Sequence, residues 1–429
     1  MAGRKGKLGI LVGGGPAPGI NAVIAAATTE AIRQGLEVVG IYDGFKWLMK
    51  GDTTHVAPLT IGDVSQARVR GGSILHTSRE NPTKKPETMA GVVGALDALG
   101  IGYLVTIGGD DTASSAIQVA RAAGGKLRVA HVPKTIDNDL PLPYNKSTFG
   151  FQTARTIAAD LVRNLVEDAR TTRRWYLAIL MGRSAGHLAL GSGNVAGATL
   201  TLIPEEFADG QCSLDLVCSI IEGAMAKGKA VGHDYGVACL AEGIGLLLGE
   251  EIAKKYEGNP FVEIERDQHG HLRLGEIPLG LIIKRELQSR AKARGEKAAI
   301  VDVTIGYDLR CAAPIPYDAD YCQELGWGAV RYLLGVGEER FGAEQGALIS
   351  VQAGEVVPMP FSEIFDEATG RAPTRRVNIN SDVYRAARAN MIRLEKSDFD
   401  DPAWVEKLAK AANMTPADFR AKFAPVVGL

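Results

Sequence analysis

The chain has 429 residues, which exceeds the usual length of one domain, so we expect two domains. Its 48 basic and 50 acidic residues leave a formal charge of −2, which argues against a nucleic-acid-binding protein or one held at a membrane by charge. No run reaches the roughly 18 apolar residues that span a bilayer, and the five cysteines show no CxxC spacing. The composition predicts a soluble, cytoplasmic protein with no nucleic-acid or membrane partner and a small ligand.

The first 150 residues alternate short apolar runs with helical patterns. Strands are predicted at 8–13, 37–42, 103–108 and 127–133, with helices at 21–35, 86–100 and 112–124. A second series follows, with helices at 153–169, 184–197 and 213–228 and strands at 175–182, 198–204 and 235–243. This alternation predicts an α/β fold of two Rossmann-like three-layer lobes with parallel-rich sheets.

The chain is predicted to divide into lobes 1–150 and 151–310, with 311–429 returning to the first lobe and ending in a mostly helical extension. Charged helical patterns around a hairpin favour a lid or insertion at 244–300, and 382–399 is strongly periodic. Within the insertion, His269 and His271 suggest a metal site or a solvated hairpin turn. The turn is favoured because Asp267 is the nearest acid and no further cluster of candidate ligands accompanies the two histidines.

The first predicted strand runs into the glycine-rich loop GGGPAPGINA (13–22) and then into a helix. Glycines let backbone N–H groups approach an anion, and the helix N-terminus adds partial positive charge. The loop is therefore typical of a phosphate site. Taken alone, it is equally compatible with tight packing or with a dinucleotide site.

A second loop, GGDDT (108–112), also lies between a strand and a helix. Its glycines admit phosphate oxygens, and Asp110 can bind Mg²⁺, a hard cation satisfied by a carboxylate, waters and phosphate oxygens. The alternative is that Asp110, Asp111 and Thr112 only cap the helix. Two acids after two glycines at the carboxyl end of a strand favour a site.

The third loop, PKTIDND (133–139), carries the most chemical information. Phosphoryl transfer to an alcohol needs a proton acceptor, cations for the phosphate, and donors that hold the transferred group. Asp137 suits the first role, Lys134 the second and Thr135 the third, while Asp139 can be an orienting acid or an acid on the metal side. An Asx-turn explains Asn138 and one aspartate, but not a lysine beside two carboxylates.

These three motifs resemble the phosphate loop, the metal loop and the catalytic loop of the phosphofructokinase family, in the family's order. Further matches are RGGSILHTSR (70–79), MGRSAG (181–186), LAEG (240–243) and GYDLR (306–310). The resemblance extends over roughly residues 8 to 400. It implies phosphoryl transfer to the 1-hydroxyl of fructose 6-phosphate with Mg²⁺ as cofactor.

The resemblance also implies roles for single residues. Asp137 would accept the hydroxyl proton, Asp110 would bind Mg²⁺, and donor phosphates would lie against Gly14, Arg70 and Lys134. The implied contacts to fructose 6-phosphate are Thr135, Ile136, Asp137, Met181, Gly182, Arg183, Glu242, Tyr307 and Arg310. Val301 replaces an arginine that relatives carry six residues before Tyr307, so Lys284 or Arg285 is expected to complete the sugar-phosphate pocket.

Arg174 corresponds to an arginine that family members lend to a neighbouring subunit. That match implies a homo-oligomer, a dimer or a tetramer, although a solvated cation beside Arg173 explains it equally well. Ile24 and Thr28 replace the arginines of an allosteric nucleotide site, so weak or absent control by ADP or phosphoenolpyruvate is expected. Pro16 replaces an acid in the first loop and removes one backbone donor.

Asp111 and Lys134 indicate the phosphate donor. ATP-dependent relatives usually carry glycine at both positions, whereas the pyrophosphate-dependent branch carries an acid and a lysine. A carboxylate placed where a nucleotide's α-phosphate would lie repels it, and a lysine neutralises the pyrophosphate leaving group. The resemblance thus implies diphosphate as donor, in a reversible reaction of glycolysis and gluconeogenesis.

Three other interpretations were weighed. An ATP-dependent enzyme of the same fold is the nearest. A dinucleotide-dependent oxidoreductase is remote, because the first loop lacks a clean GxGxxG and the acid expected after the second strand is represented only by Asp43. A non-catalytic regulatory subunit is disfavoured by the presence of Asp110, Asp137 and Arg183.

Overall fold

A computed structural model describes residues 6–207, 210–256, 277–335, 346–364, 366 and 372–429. The chain divides into two compact units, and each is described by itself. Unit 1 comprises Met1–Ala154 and Tyr307–Arg375, and unit 2 comprises Arg155–Gly306 and Arg376–Leu429. The helical extension thus groups with unit 2. The lobe boundaries given by the sequence stay a prediction.

Regular structure follows the predicted alternation of strands and helices closely. The strands are β1 (Lys7–Val12), β2 (Val38–Ile41), β3 (Val56–Pro58), β4 (Ile101–Gly108), β5 (Arg128–Pro133), β6 (Trp175–Leu180), β7 (Leu200–Leu202), β8 (Gly236–Ala241), β9 (Ile300–Ile305), β10 (Gly346–Gln352) and β11 (Glu355–Pro360). The helices are α1 (Ile20–Arg33), α2 (Ile61–Ser65), α3 (Pro86–Ala98), α4 (Asp110–Ala122), α5 (Phe151–Thr172), α6 (His187–Ala196), α7 (Leu214–Ala230), α8 (Gly243–Leu247), α9 (Gly249–Lys255), α10 (Leu279–Ala293), α11 (Tyr307–Arg310) and α12 (Pro316–Leu333), followed by Phe361–Ile364, Asp382–Ala389, Pro402–Ala411 and Pro416–Phe423. Short 3₁₀ turns occupy Leu48–Lys50, Ala67–Val69, Pro82–Lys84, Pro143–Asn145, Pro204–Glu206, Lys396–Phe399 and Pro425–Val427.

Unit 1 contains a seven-stranded sheet in the order β11-β10-β5-β4-β1-β2-β3. The five inner strands are parallel, and the edge strands β3 and β11 are antiparallel to their neighbours. In this register Val12 pairs with Ile107, and Gly108 pairs with Pro133. The carboxyl ends of β1, β4 and β5 therefore meet at one edge, which brings the three predicted phosphate loops together.

Helices cover both faces of this sheet. One core cluster combines α1 and α12 with the strands, and a second combines α3 and α4 with them. Ile24 of α1 belongs to the first cluster, and Thr28 of the same helix is fully buried as well. At both positions the side chain points into the protein interior, which is a physical reason for the absence of arginine there.

Unit 2 contains a parallel four-stranded sheet in the order β7-β8-β6-β9. Helices α7 and α10 pack on it, and Leu279, Ile282, Ile283 and Leu287 of α10 are buried in its core. Helix α10 is therefore part of the core of unit 2, and the lid or insertion at 244–300 stays a prediction. The charged residues of this helix mask an apolar stripe at three- and four-residue spacing. Residues 257–276, including His269 and His271, lie outside the described residues.

The C-terminal extension is mostly helical, as predicted. Its apolar side chains, among them Leu394, Phe399 and Phe419, form a cluster with Ala226 and Ala230 of α7. The helix predicted over 382–399 is shorter, because it ends at Ala389 and the Ile392 N–H donates to the Thr199 carbonyl at 2.8 Å. Two three-layer α/β units with parallel-rich sheets confirm the predicted fold class. No described helix is both long and apolar enough to cross a bilayer.

Candidate active site

Two of the loop glycines of unit 1 are explained by packing. A Cβ on either Gly13 or Gly108 would overlap the side chain of Thr112, which is buried in the first turn of α4. The Gly13 N–H donates to the Ile107 carbonyl at 2.8 Å, which ties the first loop to β4. Tight packing thus accounts for these two glycines, and a phosphate site at the first loop stays a prediction. Gly14 and Gly15 remain for a ligand.

Lys134 lies against this part of the first loop. Its Nζ donates to the Gly15 carbonyl and is 3.2 Å from where a Gly14 Cβ would be. The residue is only 5% exposed. The Lys134 pKa is lowered to about 8, mainly by burial and also by nearby Arg310 and Arg79, while Asp137 and Asp139 oppose the shift. A cation is thus held in a place that disfavours its charge.

Two arginines accompany Lys134. The Arg310 guanidinium carbon is 3.7 Å from where a Gly15 Cβ would be, and Arg79 acts on the Lys134 charge from the end of the 70–79 motif. Tyr307 is 77% exposed, and its ring centroid lies 4.8 Å from the Arg310 guanidinium. Arg310, predicted to reach the sugar phosphate, therefore lies beside the first loop. Three cations around Gly14 and Gly15 form a field suited to a polyanion.

Several hydrogen bonds shape the loop that follows Lys134. Thr135 Oγ1 accepts from the Asp137 N–H at 3.1 Å, and the Thr135 carbonyl accepts from Thr148 Oγ1 at 2.8 Å. Asn138 has φ 58°, and its Oδ1 accepts from the Thr148 N–H at 3.2 Å. Ile136 is buried while Asp137 is partly exposed. The turn at Asn138 thus presents Asp137 at the surface of the loop.

The two acids of the GGDDT loop occupy different environments. The N-cap of α4 is Gly109, so Asp110 and Asp111 both belong to the first helical turn, and the prediction of a helix from Thr112 began two residues late. Asp110 is partly buried, and its Oδ1 accepts from the Ala372 N–H at 3.1 Å. Asp111 is exposed. Carboxylates in a first turn are favoured by the helix dipole, and Asp110 keeps acceptor capacity for a cation.

A metal bound here would need other ligands besides the protein. Among the described residues, no three His, Cys, Asp or Glu side chains are grouped to hold an ion. Mg²⁺ is commonly held by one or two carboxylates together with waters and substrate phosphates. A single partly exposed carboxylate beside a cationic loop fits such a shared coordination shell.

The segment carrying Arg70 is fixed by Asn21, which is 1% exposed in α1. Asn21 Nδ2 donates to the carbonyls of Arg70 and Gly71 at 3.1 and 3.2 Å, and its Oδ1 accepts from the Ile74 N–H at 2.9 Å. Thr77 Oγ1 donates to the Gly14 carbonyl at 2.5 Å. The RGGS motif is therefore bonded directly to the first phosphate loop, while the Arg70 residue is exposed.

Sequence reasoning missed a buried histidine beneath the second loop. His131 of β5 is fully buried, with Nδ1 2.9 Å from Thr106 Oγ1 and Nε2 3.1 Å from the Gly108 carbonyl. Burial lowers the His131 pKa to about 3, so the ring is neutral and one nitrogen can donate to Gly108. A histidine within a predicted buried strand was the sequence feature that could have identified it.

In unit 2 the predicted sugar-binding segments also meet at strand ends. Met181, Gly182 and Arg183 follow β6, and Glu242 follows the adjacent β8. The Gly243 N–H donates to the Gly182 carbonyl at 3.1 Å, and a Cβ on Gly243 would lie 2.7 Å from the Arg183 carbonyl. The structure therefore brings these four residues together within unit 2.

Glu205 is another residue that the sequence analysis did not identify. Its Oε1 accepts from the Gly186 N–H and from the Val377 N–H, both at 2.9 Å. Gly186 ends the MGRSAG motif, and Val377 is the second residue of the C-terminal part of unit 2. The carboxylate thus ties the turn after Arg183 to the C-terminal segment.

Arg174 does not join this group within one chain. It immediately precedes β6, whereas Met181 immediately follows it, so the strand separates them by about 20 Å. The neighbouring Arg173 forms an ion pair with Asp234 at 2.8 Å.

Lys284, one candidate to replace the missing arginine at Val301, forms an ion pair with Asp302 at 2.8 Å. It stays a prediction that a sugar-phosphate site includes Arg174, Lys284 or Arg285.

Comparison with known proteins agrees with this geometry. Residues 7–333 match the family model described as phosphofructokinase. The chain is 54% identical over 418 residues to a pyrophosphate–fructose 6-phosphate 1-phosphotransferase of Thermotoga maritima, covering 97% of this chain and 98% of that protein. A protein of the same name from Naegleria fowleri is 44% identical over 427 residues, with 98% and 95% covered.

Solved structures show the same fold. Phosphofructokinase from Saccharomyces cerevisiae superimposes with a TM-score of 0.65 at 19% identity. The match covers 98% of this chain, which spans half the length of that yeast protein. The resemblance seen in the sequence motifs is confirmed, and the chain belongs to the phosphofructokinase family.

Proposed function

We propose that this protein is a pyrophosphate-dependent 6-phosphofructokinase. It transfers a phosphoryl group reversibly from diphosphate to the 1-hydroxyl of fructose 6-phosphate, giving fructose 1,6-bisphosphate and phosphate. The observation that carries the proposal is Lys134, a buried lysine placed against Gly14 and Gly15 with Arg79 and Arg310 close by. The relatives of that name, similar over almost the whole chain, support it.

The cation cluster favours a compact, highly charged donor. A buried ammonium whose pKa is lowered by burial and by two arginines becomes more favourable once an anion arrives, because the anion offsets all three positive charges. Pyrophosphate carries its charge within a few ångströms of the leaving oxygen. Asp111, exposed on the first turn of the adjacent helix, would repel the α-phosphate of a nucleotide.

In the proposed reaction Asp137 accepts the proton of the sugar 1-hydroxyl, and Lys134 stabilises the charge that develops on the leaving phosphate. The Thr135 hydroxyl, already accepting from the Asp137 N–H, can donate to the transferred group. Arg183 and Glu242 bind the sugar through a guanidinium for phosphate and a carboxylate for hydroxyls. Mg²⁺ held by Asp110 would neutralise phosphate charge and orient the donor.

The functional unit is proposed to be a cytoplasmic homo-oligomer, a dimer or a tetramer, in glycolysis and gluconeogenesis. The separation of Arg174 from Met181 along β6 supports a role for Arg174 at the sugar phosphate of a second copy. Burial of Ile24 and Thr28 supports the lack of an effector site on that face of α1. Addition of ADP or phosphoenolpyruvate is therefore expected to leave saturation curves for fructose 6-phosphate unchanged.

Two coupled assays on the purified protein test the proposal. Forward, fructose 6-phosphate with pyrophosphate and Mg²⁺ should yield fructose 1,6-bisphosphate. In reverse, fructose 1,6-bisphosphate with phosphate should yield pyrophosphate at a comparable rate. Turnover with ATP but not with pyrophosphate would support the ATP-dependent enzyme instead, and turnover with neither would contradict both.

A further inference from the structure

Residues 372–375, here called the tether, contact both acidic loops of unit 1. At one end the Ala372 N–H donates to Asp110 Oδ1 at 3.1 Å. At the other end the Arg375 N–H donates to the Asp139 carbonyl at 2.7 Å. No motif singled out in the sequence includes the tether. It nonetheless links the predicted metal ligand to the loop that carries the predicted base.

The Arg375 side chain makes three further contacts with the loop that follows Asp137. Its Nε donates to the Asn138 carbonyl at 3.0 Å, and one terminal nitrogen donates to Asn138 Oδ1. The other terminal nitrogen donates to the Lys146 carbonyl at 2.8 Å. Arg375 thus joins the beginning and the end of the excursion between Asn138 and Lys146.

These bonds converge on the residue next to Asp137. Asn138 adopts φ 58°, a left-handed conformation that asparagine tolerates but that surrounding contacts must maintain. Its carbonyl is held by Arg375, and its Oδ1 is shared between Arg375 and the Thr148 N–H. The chain direction at Asp137 is therefore fixed from its C-terminal side by one guanidinium.

We propose that Arg375 is a positioning residue for the reaction, fixing the backbone that aims the Asp137 carboxylate at the sugar hydroxyl. The inference rests on the proposed function, because it takes Asp137 as the proton acceptor. A displacement of about 1 Å at a reacting group lowers rates by about 100-fold, so a loosened turn reduces catalysis before it reduces binding.

The chemistry of the contacts requires a guanidinium. Arg375 directs N–H groups from one rigid plane at three acceptors on two separate residues. A lysine keeps the charge but offers one tetrahedral ammonium, which cannot reach the Asn138 and Lys146 carbonyls in the same geometry. Arg375→Lys therefore isolates the geometry of the contact from its charge.

The experiment compares Arg375→Lys with Arg376→Lys, a matched change at the exposed neighbouring residue. We expect Arg375→Lys to lower kcat by about 10- to 100-fold in both directions, with KM values within about threefold of wild type and an unchanged melting temperature. Arg376→Lys should match wild type. In Arg375→Ala, added methylguanidinium should restore part of the lost kcat.

Two outcomes would overturn the inference. One is a kcat for Arg375→Lys within twofold of the control. The other is a loss of kcat that parallels a loss of folded protein in both Arg375 variants and does not respond to methylguanidinium. The wild-type rate with pyrophosphate is measured first, and its absence would sink the proposed function. If ATP is the donor, the same kcat comparison made with ATP still decides the role of Arg375.

Discussion

The GGDDT loop and the PKTIDND loop end neighbouring parallel strands, yet they hold their charges in opposite ways. Asp111 lies exposed on the first turn of α4, where the helix dipole favours a carboxylate. Lys134 is buried against the first loop, where burial and two arginines lower its pKa. Of the two charges proposed to select the donor, the Asp111 carboxylate is held at little cost in stability, whereas the Lys134 ammonium destabilises the free protein.

The contrast suggests a division of labour. An exposed carboxylate can be lost or gained with little effect on folding, so it is suited to excluding a competing donor. A buried ammonium with a strongly lowered pKa costs stability, and such groups are concentrated at functional sites. The two loops should therefore respond differently to mutation and to pH.

The largest effect is expected at the proposed proton acceptor. Asp137→Asn should lower kcat by about 10² to 10⁴-fold in both directions, because an amide cannot accept the hydroxyl proton. Binding of fructose 6-phosphate, measured by calorimetry, should change little. A kcat within tenfold of wild type would remove Asp137 from the role of base.

Removal of the buried charge comes next. Lys134→Met should lower pyrophosphate turnover by about 10² to 10³-fold, since the leaving phosphate loses its cation. It should also raise the free energy of unfolding by on the order of 1–3 kcal/mol at pH 7, because a charged group leaves a site that disfavours it. Urea denaturation measures this, with the exposed Lys126→Met as control. A destabilised Lys134→Met would contradict the strained-cation interpretation.

The pH dependence follows from the same group. Since the Lys134 pKa is lowered to about 8, kcat/KM for pyrophosphate should fall as pH rises through about 8. Because the folded-state pKa lies below the unfolded value of about 10.4, the destabilisation is present below pH 8 and is relieved between about 8 and 10.4. Lys134→Arg keeps its charge at these pH values, so its kcat/KM should not fall as pH rises through about 8. If the same fall occurs in Lys134→Arg, a group other than Lys134 causes it.

The smallest effect is expected at the exposed acid. Asp111→Gly should lower the free energy of unfolding by about 0.5–1.5 kcal/mol, through lost helix propensity and lost interaction with the dipole. Glu87→Gly, in the first turn of α3, is the matched control. ATP should become a competitive inhibitor of pyrophosphate use in the Asp111 variant but not in the control. Equal ATP inhibition of wild type and variant would remove Asp111 from donor selection.

Local signals in the sequence located the described strands β1, β2 and β4 to β8 and the helices α1 and α3 to α7, because apolar periodicity and glycine turns depend on neighbours along the chain; they did not indicate β3, β9 to β11 or α12. They also identified Lys134, Asp137 and Asp110 as candidates. They did not indicate that Lys134 is buried against Gly15, since that contact joins residues 119 apart. Arg375 lies still further from its acceptor Asn138, 237 residues away in sequence.

Other features that the sequence did not indicate have a similar origin. In α10 the charged residues conceal the apolar stripe that packs on β6 and β9, and after Ala389 a long-range bond from Ile392 to Thr199 replaces the expected helix. Gly13 is required by packing against the side chain of Thr112 in the second loop. Each case was decided by tertiary contacts that no window of local sequence contains.

The most direct test is the ratio of kcat/KM for pyrophosphate to kcat/KM for ATP, measured in wild type and in the Asp111→Gly/Lys134→Gly double variant. Wild type should prefer pyrophosphate by at least about 100-fold, and the double variant should lower that ratio by about 10³-fold or more. A wild type that prefers ATP, or a double variant with an unchanged ratio, would contradict the assignment of donor choice to these two residues.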